Sequence, residues 1–162
     1  MIVCLDVDYR ANVVVAAGVG FAAWTDAEPA LELVVASDAP PAEYEPGRFY
    51  LRELPHLLAV LALVEPAPTT VVVDGYVWLA PGRPGLGAHL HDALSIPVIG
   101  VAKNPFAGAD AIEVVRGDSA RPLLVTAAGL DPAIAAAHVQ SMHGAYRIPT
   151  LLRRVDQLAR SE

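Results

Sequence analysis

The sequence predicts an α/β fold in which an antiparallel meander comes first and parallel strands with flanking helices follow. Three short apolar segments, separated by polar turns, fill the first 36 residues, a pattern typical of antiparallel strands. Further along, apolar residues recur at helical spacing, between short continuous apolar runs of the kind that parallel strands form when both faces are buried. We therefore expect one mixed sheet covered by helices.

The individual elements follow from the apolar pattern and from proline. Pro55 belongs in the first turn of its helix, where a missing N–H costs little, so Glu53 is expected at the start of that helix. Asp131 is expected to cap a helix that begins at Pro132. The predicted strands cover residues 2–7, 13–24, 31–36, 69–73, 98–102, 112–115 and 123–126, and the predicted helices cover 54–64, 85–94, 132–142 and 149–160.

Length and composition predict a single domain over residues 1–162. The chain is 54% hydrophobic, which is enough for one buried core, while 162 residues are too few for two ordinary domains. No apolar run approaches the roughly 20 residues that span a bilayer, and no secretory signal is visible at the N-terminus. We therefore expect a cytoplasmic protein without membrane contact. Its single cysteine, Cys4, excludes an internal disulfide.

The charged residues restrict the possible partners. A formal net charge of −7 argues against a general affinity for nucleic acid, because lysine and arginine supply most non-specific binding to phosphates. Ten of the 11 basic residues are arginine, and the only lysine, Lys103, closes an apolar run where an uncharged residue would pack better. We predict a functional role for Lys103.

Three carboxylates come from segments that are predicted to be buried. Asp6 and Asp74 each follow an apolar run, and Glu53 stands at the start of the first helix. Carboxylates brought together repel one another unless a cation joins them, and their hard oxygen atoms suit Mg²⁺ or Mn²⁺. Two alternatives stay open: Asp6 and Asp74 could be ordinary turn residues, and Asp8 could take the role of Asp6.

Four segments resemble the endonuclease V family. They are PGRFYLRELP at 46–55, VVVDG at 71–75, PVIGVAK at 97–103 and YRIP at 146–149. The resemblance implies a ribonuclease H-like fold and an Mg²⁺- or Mn²⁺-dependent endonuclease that hydrolyses a phosphodiester 3′ to a deaminated base, hypoxanthine or inosine, in DNA or RNA.

The same resemblance implies roles for individual residues. Asp6, Glu53 and Asp74 would hold the metal, and Lys103 would stabilise charge that develops on the phosphate. The expected substrate-binding residues are Tyr44, Pro46 and Gly47, which match part of the family's strand-separating wedge, together with Arg52 and Arg83.

The chain departs from the family at two histidine positions. Where the family reads Asp-Gly-His-Gly and then His-Pro-Arg-Arg, residues 74–83 read DGYVWLAPGR, with Ala80 at the second histidine. Where the family has Gly-His-Arg, residues 127–130 read AAGL, and Asp131 is the nearest residue that could reach inward instead. None of the five histidines of this chain has the spacing of a metal site. The alternative function is therefore a catalytically impaired relative that binds nucleic acid or a protein.

Overall fold

The computed structural model describes residues 1–38 and 50–161. In this part of the chain the strands are β1 (Ile2–Tyr9), β2 (Val14–Phe21), β3 (Leu31–Ser37), β4 (Thr70–Asp74), β5 (Trp78–Ala80), β6 (Arg83–Pro84), β7 (Val98–Ala102), β8 (Ile112–Val114) and β9 (Leu123–Ala128). The helices are α1 (Tyr50–Leu61), α2 (Leu86–Leu94), α3 (Pro132–Ser141) and α4 (Thr150–Arg160).

Seven of the described strands form one mixed sheet in the order β3-β2-β1-β4-β7-β9-β8. The first three strands are the antiparallel meander that the sequence predicts. Strands β1, β4 and β7 run parallel to one another, β9 is antiparallel to β7, and β8 is antiparallel to β9. The predicted α/β, ribonuclease H-like class with a mixed sheet and flanking helices is confirmed.

The sheet separates two hydrophobic clusters, because successive side chains of a strand point to opposite faces. Along β1, Ile2 and Cys4 pack into the cluster that contains α3 and α4, whereas Val3 and Leu5 pack into the cluster that contains α1 and α2. Cys4 is fully buried, as expected for a small apolar side chain. No helix in the described ranges is long and apolar enough to cross a membrane.

The register of the three parallel strands determines where the charged groups emerge. Leu5 pairs with Val73, and Val73 pairs with Gly100, so the place where β1 stops pairing with β4 lies beside the carboxyl ends of β4 and β7. Asp6 follows the first of these residues and Asp74 follows the second. Ligands bind beyond the carboxyl ends of the strands in sheets of this kind.

Several details differ from the sequence prediction. Pro55 lies inside α1 rather than in its first turn, because the helix already includes Tyr50. Strand β1 continues to Tyr9, so Asp6 lies within the strand rather than at its end, because pairing with β2 extends along the whole segment. The β5–β6 hairpin was not predicted, because strands of three and two residues around Pro81 and Gly82 leave no periodic pattern to detect.

Candidate active site

Asp6, Glu53 and Asp74 line one small cavity at the carboxyl edge of the sheet. Strand β1 contributes Asp6, the first turn of α1 contributes Glu53, and β4 ends with Asp74. Gly75 follows at a φ of +119°, a backbone conformation that a residue with a Cβ rarely adopts, so the chain turns immediately after Asp74. The structure thus brings the three predicted carboxylates to one place.

Burial and mutual repulsion make two of these carboxyl groups weaker acids than usual. Burial is the largest cause that raises the pKa of Asp6 to about 6, and the charges of Asp74 and Asp156 add to it. Burial likewise raises the pKa of Glu53 to about 7, helped by the charges of Asp6 and Asp74 and opposed by Arg52. Such a cluster favours any cation that can neutralise it.

Lys103 is paired with the most exposed of the three acids. Its Nζ donates to Asp74 Oδ2 at 2.8 Å, and the two side chains are 38% and 45% exposed. In residues 1–38 and 50–161, no three His, Cys, Asp or Glu side chains lie close enough together to form a ready-made metal site.

A fourth carboxylate, Asp156 of α4, was missed from the sequence. It lines a second cavity together with Asp6, Asp74 and Lys103, and its charge contributes to the raised pKa of Asp6. One feature of the sequence could have indicated it. Asp156 stands four residues after Leu152, which packs against the core, so the two side chains lie on the same side of the amphipathic helix α4.

The two alternative carboxylates are occupied elsewhere. Asp8 accepts a hydrogen bond from Arg10 Nε at 3.1 Å. Asp131 accepts one from the backbone N of Ala133 at 2.7 Å and caps α3, as predicted. Neither side chain lines the cavities that hold Asp6.

Arg52 lies beside the carboxylates but is turned towards an aromatic ring. Its guanidinium carbon is 4.3 Å from the centroid of the Tyr9 ring, and its Nε is buried with no hydrogen-bond partner in the described part of the chain. Its positive charge acts on both Glu53 and Tyr9. In this arrangement Arg52 supports the shape and charge of the site rather than facing outward.

A larger cavity of about 390 Å³ opens next to Glu53 and Asp74. Tyr50, Tyr76 and Phe106 give it aromatic walls. The predicted substrate-binding residue Arg83 also lines it, with its guanidinium carbon 5.9 Å from the Phe106 ring centroid. A cavity of this size, with aromatic walls and a few polar groups, suits a flat ring.

The segment that follows Asp74 is held against the neighbouring strands. Gly75 N donates to Val101 O at 3.1 Å, and Val77 N donates to Thr126 Oγ1 at 2.8 Å. The segment passes so close to β7 that a Cβ on Gly100 would lie 2.5 Å from Gly75 O. Asp74 therefore stands on a backbone with little freedom to move.

The five histidines all make contacts with other residues of the fold. His89 stacks on Tyr50 and His138 on Trp24, while His56 meets Tyr9 edge to face. His91 Nδ1 lies 2.7 Å from Ile96 O and His143 Nδ1 2.9 Å from Thr150 Oγ1. Ala80, which stands at one missing family histidine, ends β5. In the other segment that lacks a family histidine, residues 127–130, Ala127 O accepts a hydrogen bond from Trp78 Nε1 at 3.1 Å.

The predicted wedge residues Tyr44, Pro46 and Gly47 lie outside the described residues.

Comparisons with known proteins place these observations in a family. A model of the family "Endonuclease V" matches residues 1–129. Endonuclease V of Streptomyces coelicolor is 36% identical over 141 residues, which cover 73% of this chain and 60% of that protein. The chain thus spans less than two thirds of the length of this curated relative.

Solved structures give the same result. The crystal structure of endonuclease V from Streptomyces avermitilis superposes with a TM-score of 0.79 at 33% identity, over 98% of this chain and 79% of that one. Endonuclease V from Ciona intestinalis, solved with DNA that contains an inosine, shares the fold with a TM-score of 0.79 at 17% identity, over 98% of this chain and 83% of that one. From the matched family model and the identity to the Streptomyces proteins, this chain belongs to the endonuclease V family.

Proposed function

We propose that this protein is a metal-dependent endonuclease that hydrolyses a phosphodiester 3′ to a deaminated base in DNA or RNA. The observation that carries the proposal is the cavity shared by Asp6, Glu53 and Asp74, with the only lysine of the chain paired to Asp74. The Ciona relative binds DNA that contains inosine, which supports an inosine substrate here.

The carboxylates fit a hard divalent cation. Asp6, Glu53 and Asp74, with Asp156 nearby, supply oxygen ligands only, which suit Mg²⁺ or Mn²⁺. Burial, together with neighbouring negative charges, raises the pKa of Asp6 and of Glu53, and a cation bound beside them would favour their charged forms. When bound, such an ion lowers the pKa of water and stabilises charge on phosphoryl oxygens.

The remaining residues would bind and orient the nucleic acid. The aromatic cavity of Tyr50, Tyr76 and Phe106 would receive the deaminated base after it leaves the stack, as enzymes that act on a damaged base require. Arg83 would contact a phosphate at the rim of this cavity. The Lys103 ammonium would offset charge that develops on the cleaved phosphate.

The other residues predicted from the sequence keep supporting roles in this proposal. Tyr44, Pro46 and Gly47 would separate the strands beside the base. Arg52, stacked on Tyr9, would hold Glu53 in place through its charge. Because all four described helices pack on one sheet, we also propose that residues 1–162 form a single domain.

The second candidate is a relative that binds nucleic acid or a protein without cleaving. It is favoured by the loss of both family histidines, at Ala80 and within residues 127–130, and by the net charge of −7. It is opposed by the retention of every predicted carboxylate and of Lys103 at the same edge of the sheet.

A cleavage assay separates the two candidates. End-labelled DNA and RNA, single- and double-stranded, with one inosine or with guanosine at the same position, are incubated with Mg²⁺, with Mn²⁺ or with a chelator. The endonuclease proposal expects a cut 3′ to the inosine only with metal, products with a 3′-hydroxyl and a 5′-phosphate, and no cut by Asp74→Asn. Binding to inosine substrates without any cut by the parent would favour the second candidate.

A further inference from the structure

Lys103 stands at the point where β7 ends and the chain becomes irregular. Strand β7 stops at Ala102, and Lys103 and Asn104 form a bend beyond it. A lysine side chain has four rotatable bonds, so the ammonium is placed accurately only if the backbone that carries it is held. Two side chains outside the carboxylate cluster hold this bend.

Arg147 ties the bend to the start of β9. Its Nη2 donates to Lys103 O and also to Pro122 O, at 3.1 Å in the latter case, while its Nε donates to Arg121 O at 2.9 Å. A guanidinium group presents these donors in a rigid plane. The next residue, Ile148, lines the cavity with Asp6 and Lys103, so Arg147 is the chain neighbour of a residue in the cavity wall.

Tyr76 ties the same bend to the segment that follows Asp74. Its phenol donates to Asn104 O at 2.7 Å. A tyrosine phenol keeps its proton at neutral pH, so Tyr76 is the donor in this hydrogen bond. The neighbours of Tyr76 are themselves fixed, since Gly75 N donates to Val101 O and Val77 N to Thr126 Oγ1.

We infer that Tyr76 and Arg147 are positioning residues that clamp the Lys103–Asn104 backbone and so hold the Lys103 ammonium against Asp74. The Tyr76 hydrogen bond joins the residue after the lysine to the segment after the aspartate, and thereby sets the separation of the two strand ends. The inference rests on the proposed function for its catalytic consequence, because a misplacement of about 1 Å can lower a rate by about 10²-fold.

The chain offers an unusually direct test, because Lys103 is its only lysine. Growth with ¹³C,¹⁵N-lysine labels one residue, and NMR then reports the environment and mobility of its side chain without any substrate. The variants are Tyr76→Phe, which removes one hydroxyl, and Arg147→Gln. Arg147→Lys is the conservative change and is used for kinetics only, because it adds a second lysine. The matched controls are Tyr146→Phe, at a side chain that is 66% exposed, and Arg153→Gln, at an exposed arginine.

We expect Tyr76→Phe and Arg147→Gln to shift and narrow the Lys103 side-chain signals, as a more mobile ammonium would. With inosine substrate, kcat should fall about tenfold while KM changes less than twofold, since the clamp acts on the transition state and not on binding. Arg147→Lys should recover part of the loss. Both controls should match the parent in NMR and in kinetics.

Unchanged Lys103 signals in Tyr76→Phe and Arg147→Gln would overturn the inference. A rise in KM at constant kcat would also overturn it, because it would mean that the Tyr76 hydroxyl and Arg147 act on substrate binding and not on the Lys103 ammonium. If Arg147→Gln does not fold, Tyr76→Phe alone decides. If the parent cleaves no inosine substrate, the proposed function fails while the NMR comparison still tests the clamp.

Discussion

Replacing Glu53 by Gln should stabilise the metal-free protein at neutral and alkaline pH. Glu53 shares a cavity with Asp6 and Asp74, and burial together with these two charges raises its pKa from 4.5 to about 7. Glutamine has nearly the same shape and carries no charge, so the variant avoids both the cost of burying a carboxylate and the repulsion. Glu53, a proposed metal ligand, would then lower the stability of the protein when no metal is bound.

The sign and the size follow from proton linkage. Because the folded protein holds the Glu53 proton more tightly than the unfolded chain does, stability falls as pH rises from about 4.5 to about 7, and the whole penalty is present above pH 7. A pKa difference of this size corresponds to about 3 kcal/mol. The buried glutamine amide also loses hydration, which offsets part of this benefit. We therefore expect Glu53→Gln to raise the free energy of unfolding by about 2 kcal/mol at pH 8.

Thermal and urea unfolding at pH 5 and pH 8 measure this gain. For a chain of this length, about 2 kcal/mol raises Tm by about 4 to 8 °C. The stability difference between Glu53→Gln and the parent should appear at pH 8 in the presence of chelator. It should nearly vanish at pH 5, where Glu53 of the folded parent is already protonated. Added Mg²⁺ or Mn²⁺ should stabilise the parent at pH 8 and leave the variant unchanged.

The control is Glu113→Gln, at an exposed glutamate of β8, which should match the parent under all conditions. If Glu53→Gln is less stable than the parent at pH 8 in chelator, or gains as much at pH 5 as at pH 8, the argument from buried, repelling carboxylates is refuted.

Three further substitutions and one pH profile test the site. Asp74→Asn should lower the cleavage rate at least 10²-fold, since it removes both a proposed metal ligand and the charged partner of Lys103. A gel assay with the parent's substrate measures this rate, and a loss below tenfold would contradict the ligand role. Lys103→Met keeps the side-chain stem and removes the charge, so cleavage should fall about 10²-fold with an unchanged unfolding midpoint, and parent-like cleavage would remove Lys103 from the mechanism. In Gly100→Ala the new Cβ would lie 2.5 Å from Gly75 O and 2.8 Å from Thr126 Oγ1. The variant should therefore lose about 1–3 kcal/mol of unfolding free energy and cleave more slowly. A fully stable and active variant would refute the close approach of the two segments. Metal-dependent cleavage should rise with pH through about 6 to 7, where the buried carboxyl groups lose their protons, and a rate that falls over this range would contradict the raised pKa values.

The order and type of the long elements could be read from the sequence, because their signals are local. The apolar runs of β4 and β7 are continuous since both faces of these strands are buried, and the Asp131 cap of α3 depends only on residues next to it. Even the meeting of Asp6, Glu53 and Asp74 was predictable in outline, since a helix start and the ends of apolar runs in neighbouring strands place charged groups at one edge of a sheet.

The contacts that complete the site were decided only by the tertiary structure. Asp156 joins the carboxylates because α4 crosses the sheet beside β1, a packing that no local pattern reveals. Tyr76 and Arg147 reach the bend at Lys103 from positions 27 residues before and 44 residues after that lysine. The sequence by itself determined which segments are buried, since burial follows from the spacing of apolar residues. Which side chains meet across those segments depends on strand register and helix packing, and these exist only once the whole chain has folded.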